Sequence, residues 1–273
     1  MKNPLVINPK QEVKRITEFL KKTFKKQKID KAVLGLSGGI DSTVILYLLK
    51  EALPAENIYA IQMDYNSRKR PNIDLKGINV MNISIKKIID QFNAGEGDKF
   101  LATWDSPEGG GFPAEPKKFG AEPQPRKNRF GNIIARVRMI ILFDSAKRLN
   151  AMVCGTENRS EKLLGYFTRF GDAASDLEPI SHLYKTQVYQ LAEYLKIPRQ
   201  IINQSPTAGF WAGQTDEGEF GFTYREADQV LHLYFDQKKS LKEIIKLRFK
   251  NADKIIKRSL NNQFKLKAPY LLQ

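Results

Sequence analysis

The sequence predicts an α/β fold: a doubly wound, mostly parallel sheet flanked by helices. Short apolar runs alternate with longer segments of helical periodicity, the pattern typical of such sheets. The first of these runs, Ala32–Leu36, leads into a turn rich in glycine and serine and then into a helix. In sheets of this class ligands bind beyond the carboxyl ends of the strands, so we expect the functional residues at that edge.

The first helix is predicted over residues 8–28. Asn8 can cap it, and Pro9 suits its first turn. Apolar side chains recur on one face at three- and four-residue spacing, at Val13, Ile16, Phe19, Leu20 and Phe24. This periodicity predicts an amphipathic helix that packs against the sheet.

Four strands and further helices follow in order. The strands are predicted at residues 32–36, 57–63, 79–85 and 151–155. Residues 64–78, between the second and third strands, are too few for a comfortable crossover helix. Four later helices are predicted. The first runs from Gly131 to about Asn150, the second ends at about Leu195, and the last two lie near residues 224–236 and 240–262.

The length and composition fit one domain. A chain of 273 residues that is 41% hydrophobic can bury a sizeable core, so we expect a single domain over residues 1–273. Residues 93–128 contain three consecutive glycines and five prolines, a composition typical of a mobile insertion. Residues 204–221 form a second glycine-rich loop, which we expect to act as a mobile lid.

The charge and cysteine content limit the class of protein. A formal net charge of +15 attracts polyanions, but the lysines are spread along helix faces, which favours a solvated basic surface over a nucleic-acid site. The sequence has no apolar run of membrane-spanning length and no signal region, so we expect a cytoplasmic protein. The sequence has a single cysteine, Cys154, which is too few for an internal disulfide or a cysteine-based metal site.

The turn Ser37–Ser42, with the sequence SGGIDS, carries the strongest functional signal. The first amides of a helix lack internal partners and attract anions, and Gly38 and Gly39 allow close approach of the backbone to a phosphate. Asp41 would repel a phosphate unless a cation lies between them, so it indicates Mg²⁺. An ordinary glycine-rich connection between strand and helix is the alternative.

Two common phosphate motifs are excluded. The P-loop needs a Lys where Asp41 stands, and the dinucleotide fingerprint GxGxxG is absent. The turn resembles the SGGxDS loop of the ATP pyrophosphatases, whose fold is similar to that of the adenine nucleotide alpha-hydrolases.

Five blocks in order resemble ammonia-dependent NAD synthetases within that superfamily. The blocks are Gly35–Ser42, Gly131–Met139, Gly155–Glu161, Gly165–Asp172 and Pro206–Glu217, with Leu183–Thr186 between the last two. The resemblance covers most of the chain outside residues 93–128. It implies a Rossmann-like ligase that forms a C–N bond: ATP adenylylates the carboxylate of deamido-NAD⁺, and ammonia displaces AMP to give NAD⁺.

The resemblance also implies residue roles. ATP contacts are implied at Gly35, Leu36, Ser37, Gly38, Gly39, Ile40, Asp41, Ser42, Thr156, Lys185 and Thr207. Asp41 and Glu161 are implied as Mg²⁺ ligands, and Lys185 as the cation that neutralises phosphate charge in the transition state. Deamido-NAD⁺ contacts are implied at Arg136, Arg169, Asp176 and Lys265, and Phe264 stands where the family usually has a His.

Other interpretations stay open. A tRNA-modifying ATP pyrophosphatase is compatible with the first loop and the basic charge, and a nucleotide-binding homologue without turnover is a non-enzymatic alternative. Taken singly, Glu161, Lys185 and Arg136 are also typical of solvated helix side chains. The resemblance implies a homodimer with the dinucleotide at its interface and free ammonia as the nitrogen source, because no glutaminase domain fits in the chain.

Overall fold

The computed structural model describes residues 4–65, 71–93, 126–210 and 213–267. Its four strands are β1 (Lys31–Gly35), β2 (Ile58–Asp64), β3 (Asn79–Ser84) and β4 (Ala151–Cys154). The first helices are α1 (Pro9–Gln27), α2 (Ile40–Ala52), α3 (Lys86–Asn93), α4 (Arg126–Leu149), α5 (Arg159–Leu164) and α6 (Lys185–Tyr194). The remaining helices are α7 (Arg199–Ile202), α8 (Asp216–Phe220), α9 (Tyr224–Leu231), α10 (Leu241–Lys246) and α11 (Ala252–Asn262).

The sheet is parallel throughout and has the order β3-β2-β1-β4. This confirms the predicted doubly wound α/β fold and all four strand positions. The strand order reverses at β1, which lies between β2 and β4. The turns after β1 and β4 therefore open at the same carboxyl edge, on either side of the switch point where ligands bind in such sheets.

Helices cover both faces of the sheet because side chains alternate along each strand. Leu34 of β1 joins a core with Leu20 of α1, Leu48 of α2 and Val188 of α6. Its neighbour Val33 faces the other way and packs in a second cluster that includes α3 and α4. Each fully buried Leu contributes roughly 1.5–3 kcal/mol to folding.

The last helices form a third apolar cluster beside the sheet. Phe220, Val230 and Ile255 are all buried in it, and Phe220 makes ring contacts with both Phe222 and Tyr224. This cluster holds α9 and α11 against α5, which follows β4. It thereby places the C-terminal part of the chain next to the carboxyl edge of the sheet.

The structure corrects several predicted boundaries. The long helix α4 begins at Arg126 rather than Gly131, directly after Pro125, and most of the predicted insertion lies outside the described residues. The single helix predicted over 240–262 is two helices, because Arg248 between them has a φ of 62°. Phe19, predicted on the buried face of α1, is 44% exposed.

No helix in the described ranges has the length and apolar character needed to span a bilayer.

The glycine-rich loop 204–221 contains the short helix α8, which Thr215 caps by accepting a hydrogen bond from the Gly218 amide. The predicted mobility of this loop as a lid stays a prediction.

Candidate active site

The turn after β1 has the backbone expected of a phosphate-binding loop. Gly38 has a φ of +83°, which favours glycine, whereas Gly39 is extended at −79° and occupies the N-cap of α2. Ser37 Oγ accepts a hydrogen bond from the Gly39 amide and lies 3.0 Å from Ser42 Oγ. The turn is thus held by its own hydroxyls, with the first amides of α2 directed past the end of the sheet.

Lys185 joins the two predicted metal carboxylates. Its Nζ lies 2.6 Å from Asp41 Oδ2 and 3.0 Å from Glu161 Oε1, although these residues come from α2, α5 and α6. The lysine side chain is 2% exposed, and the two carboxylates are 17% and 16% exposed. The three residues predicted to be catalytic therefore form one nearly buried cluster.

Asn158 contacts this cluster, and the sequence interpretation gave it no role. Its side chain accepts a hydrogen bond from the Glu161 amide and donates one of 2.9 Å to Asp41 Oδ1. Glu161 in return accepts from the Asn158 amide, which completes a capping box. An Asn three residues before a Glu at a helix start is the signal that could have revealed this role.

The electrostatics of the cluster follow from burial and pairing. Burial raises the pKa of Glu161 above its usual value, and the nearby Lys185 ammonium opposes this effect. Burial alone would lower the pKa of Lys185, but attraction by Asp41 and Glu161 outweighs it, so that pKa lies above its usual value. The lysine therefore stays charged.

A cavity of about 420 Å³ opens beside this cluster at the carboxyl edge of the sheet. Most of the predicted ATP residues line it: Gly35, Leu36, Ser37, Gly38, Gly39, Ile40, Asp41, Thr156, Lys185 and Thr207. The predicted metal ligand Glu161 lines it as well. Ser42 instead faces the turn, where its buried hydroxyl donates to the Gly39 carbonyl. The apolar wall includes Ile61, Met63 and Leu142, a surface suited to a purine ring.

The predicted dinucleotide contacts lie outside that cavity, in two groups. Arg136 is exposed on α4 and donates to the carbonyl of Arg169, which donates to the carbonyl of Lys267. Lys265 donates to the carbonyls of Gly165 and Phe167. These contacts connect the C-terminal segment to the Gly165–Asp172 block.

Asp176 has a different position. Its carboxylate accepts a 2.7 Å hydrogen bond from the amide of Val153. This gives a partner to a backbone donor on β4, an edge strand of the sheet. Asp216, to which the sequence interpretation gave no individual role, lines the cavity, is 3% exposed and accepts from the Tyr224 hydroxyl. Burial raises the pKa of Asp216, and Lys185 partly offsets this.

Mg²⁺ needs oxygen ligands, and the cluster offers carboxylates. Among the described residues, no three His, Cys, Asp or Glu side chains form a group able to hold a metal. Asp41 and Glu161 nevertheless supply two carboxylates that both contact one ammonium group. Mg²⁺ typically takes one or two carboxylates and completes its shell with phosphate oxygens and water, so this pair fits the ion.

The parallel sheet, with a glycine-rich turn at its switch point and a cavity beyond it, is the architecture of Rossmann-like nucleotide-binding enzymes. The comparisons with known proteins give the family within that class. The family model described as NAD synthase matches residues 12–269. The chain belongs to the NAD synthase family.

Relatives and solved structures agree with this membership. The chain is 40% identical to the NH(3)-dependent NAD(+) synthetase of Fusobacterium nucleatum, covering 98% of each protein. It is also 40% identical to the protein of that name from Thermoplasma acidophilum, covering 83% of this chain and 85% of the relative.

Two solved structures superpose over nearly the full chain. The NH3-dependent NAD synthetase of Campylobacter jejuni has a TM-score of 0.72 at 28% identity, covering 98% of this chain and all of that one. The NMN synthetase of Francisella tularensis has a TM-score of 0.74 at 29% identity, covering 98% and 99%.

Proposed function

We propose that this protein is an ammonia-dependent NAD⁺ synthetase, a ligase that converts deamido-NAD⁺, ATP and ammonia to NAD⁺, AMP and pyrophosphate. The family membership supports the reaction, and one observation in the structure supports the assignment of the site. A buried ammonium contacts two carboxylates in the lining of a cavity that also includes a phosphate-type turn.

The reaction has two steps with separate demands. An oxygen of the nicotinate carboxylate attacks the α-phosphorus of ATP, the bond to the bridging oxygen breaks, and pyrophosphate leaves. Ammonia then attacks the acyl carbon, the C–O bond to AMP breaks, and the nitrogen loses a proton to solvent. The first step replaces a poor leaving group, oxide, by AMP, so the protein has mainly to position charges.

The chain's own residues meet the first demand. The amides at the start of α2 bind phosphate oxygens, and Lys185 places a positive charge beside them. Asp41 and Glu161 would hold Mg²⁺, which when bound neutralises phosphate charge. Asn158 keeps the Asp41 carboxylate oriented. Thr156 and Thr207 contact ATP from the other walls of the cavity.

The acceptor site and the assembly complete the proposal. Arg136, Arg169, Asp176 and Lys265 contact deamido-NAD⁺, and their location outside the cavity agrees with a second substrate that enters beside ATP. The protein acts as a cytoplasmic homodimer with the dinucleotide at the interface. The chain is one domain over residues 1–273, with an insertion at 93–128 and a lid at 204–221.

The first experiment measures AMP and NAD⁺ release from deamido-NAD⁺, ATP and Mg²⁺, with ammonium or glutamine as nitrogen source. Equal amounts of AMP and NAD⁺ with ammonium alone are expected. ATP cleavage without NAD⁺ would overturn the acceptor assignment and move the test to a transfer RNA. Absence of AMP would indicate nucleotide binding without turnover.

A second candidate acceptor comes from the structural likeness to the NMN synthetase of Francisella tularensis, at 29% identity and a TM-score of 0.74. By the same chemistry, the nicotinate mononucleotide could be amidated. The two acceptors are therefore compared at equal concentration, and the higher kcat/KM identifies the substrate. We expect the dinucleotide to give the higher value, because the relatives with 40% identity carry the NAD(+) synthetase name.

A further inference from the structure

Asp228 is a buried carboxylate outside the cavity that links the two helices bearing catalytic side chains. It lies on α9 and is 0% exposed. One of its oxygens accepts a hydrogen bond from Ser160 Oγ, and the other accepts from the Thr186 amide at 2.8 Å. Ser160 Oγ in turn accepts from the Lys185 amide at 2.8 Å.

These three hydrogen bonds lie directly beside the catalytic cluster. Ser160 precedes Glu161 in the first turn of α5, and Thr186 follows Lys185 in the first turn of α6. One carboxylate therefore fixes the backbone that carries Glu161 relative to the backbone that carries Lys185. Helix α9 also covers the lysine head, because the Tyr224 ring centroid lies 5.2 Å from Lys185 Nζ.

The arrangement matters because lysine is long and flexible. A lysine places its charge through four rotatable bonds, so the location of its ammonium depends on where the main chain starts. Hydrogen bonds to a carboxylate are shorter and stronger than those between neutral groups, and buried ones are little screened. Displacement of a catalytic group by about 1 Å can cost on the order of 100-fold in rate.

We propose that Asp228 is a positioning residue for Lys185, which holds the ammonium in register with Asp41 and Glu161 during adenylyl transfer. The proposal rests on the proposed function, since it assumes that Lys185 acts on the ATP phosphates. It predicts that breaking the link lowers kcat with little change in the KM for ATP, because the phosphate turn after β1 is untouched.

Two buried serines provide a matched pair of variants. Ser160→Ala removes the bridge between Asp228 and the Lys185 amide, and Asp228→Asn keeps the shape but removes the charge. Ser259→Ala is the control: Ser259 is also 0% exposed, and its hydroxyl donates to the Leu163 carbonyl on α5 without contacting Lys185. Each deleted hydrogen bond is expected to lower stability to a similar extent.

The assay measures kcat and KM for ATP with the full chain, well below the melting temperature of each variant. We expect Ser160→Ala and Asp228→Asn to lower kcat by about 10-fold or more, with the KM for ATP within about two-fold of wild type. Ser259→Ala should keep the wild-type kcat. The double variant Ser160→Ala/Asp228→Asn should have about the same kcat as the less active of the two single variants, because both changes break the same link.

The outcomes separate this proposal from the function on which it rests. If the wild type forms no NAD⁺, the proposed function fails. If the wild type forms NAD⁺ but Lys185→Ala keeps full activity, the role of Lys185 fails, and the positioning role of Asp228 fails with it. If both of those controls behave as expected but the Ser160 and Asp228 variants turn over like Ser259→Ala, the positioning role fails. If Asp228→Asn does not fold, Ser160→Ala alone decides between a kcat loss and none.

Discussion

The Nζ of Lys185 lies 2.6 Å from Oδ2 of Asp41, and this ion pair joins residues 144 positions apart in the chain. A second pair, between Lys50 and Asp74, has the same 2.6 Å separation. The two pairs differ in burial: Lys185 is 2% exposed, whereas the Asp74 side chain is 61% exposed. Because water screens the exposed pair, only the buried one is expected to matter for both stability and activity.

Asp41→Asn is therefore expected to lower ammonium-dependent NAD⁺ formation by at least about 100-fold. The amide cannot pair with Lys185 as a charge, and it weakens the oxygen ligand set for Mg²⁺. The measurement is the initial rate of AMP and NAD⁺ release across a series of Mg²⁺ concentrations, in which the variant should also need more Mg²⁺ for half-maximal rate.

Asp74→Asn is the matched control, since it removes the same kind of pair from the surface. Its rate and melting temperature should equal those of the wild type. If Asp41→Asn retains a rate within a few-fold of Asp74→Asn, Asp41 does not belong to the catalytic machinery.

Sequence patterns were sufficient for the sheet and for the turn that carries Asp41, because both depend on local features. Buried strands appear as short apolar runs, and the SGGIDS turn has its chemistry in six adjacent residues. The roles of Glu161 and Lys185 came only from the resemblance to a known family. Residue spacing alone could not show that Lys185 lies between Asp41 and Glu161. That contact depends on how α6 packs against α2, across 144 positions of sequence.

The residues that sequence reasoning missed act through long-range hydrogen bonds. Asp228 reaches Ser160 over 68 positions, and Asn158 reaches Asp41 over 117. No local feature distinguishes Asp228. The capping-box spacing of Asn158 and Glu161 is a local signal for Asn158, but it does not show the contact with Asp41. The break between α10 and α11 was missed for a similar reason: apolar spacing continues through it, while Arg248 adopts a φ of 62°.

Gly155 provides a test of close packing beside the cavity. A Cβ at this position would lie 1.8 Å from Glu178 Oε1, and that carboxylate is held by Ser175 Oγ and the Glu157 amide. Gly155→Ala should therefore lower the free energy of unfolding by roughly 1–3 kcal/mol, the usual range for overpacking. Urea denaturation followed by circular dichroism measures this change.

A double variant distinguishes a clash with Glu178 from a general effect. In Gly155→Ala/Glu178→Ala the clashing carboxylate is gone, so the combined loss should be smaller than the sum of the single losses. Gly39→Ala is a control for glycine replacement, because a Cβ at position 39 would lie 3.4 Å from its nearest neighbour, Ser37 Oγ. Additive losses at 155 and 178 would contradict the clash.

The Glu178 carboxyl should make stability depend on pH. Burial raises its pKa from 4.5 to about 7. Between these values the folded protein binds more protons than the unfolded chain, so stability falls as the pH rises through this window. The shift corresponds to a loss on the order of 3 kcal/mol by pH 7 relative to pH 4.

Glu178→Gln removes this titration. The unfolding free energy of the wild type minus that of Glu178→Gln should therefore decrease as the pH rises from about 4.5 to 7 and level off above it. Urea titrations at intervals of half a pH unit measure the difference. A constant difference over that range would show that the carboxyl titrates alike in the folded and unfolded protein.

Lys185→Met offers a test of the cation site that does not depend on turnover. Methionine fills much of the lysine's volume but leaves the carboxylates of Asp41 and Glu161 without their ammonium partner. Because breaking a buried pair typically costs about 3–5 kcal/mol, the variant should melt well below the wild type. A divalent cation can replace the missing charge, so added Mg²⁺ should raise the melting temperature of Lys185→Met more than that of the wild type. Adding Asp41→Asn to Lys185→Met removes one of the two carboxylates and should abolish the extra shift, whereas an equal Mg²⁺ response in all three proteins would place the cation elsewhere.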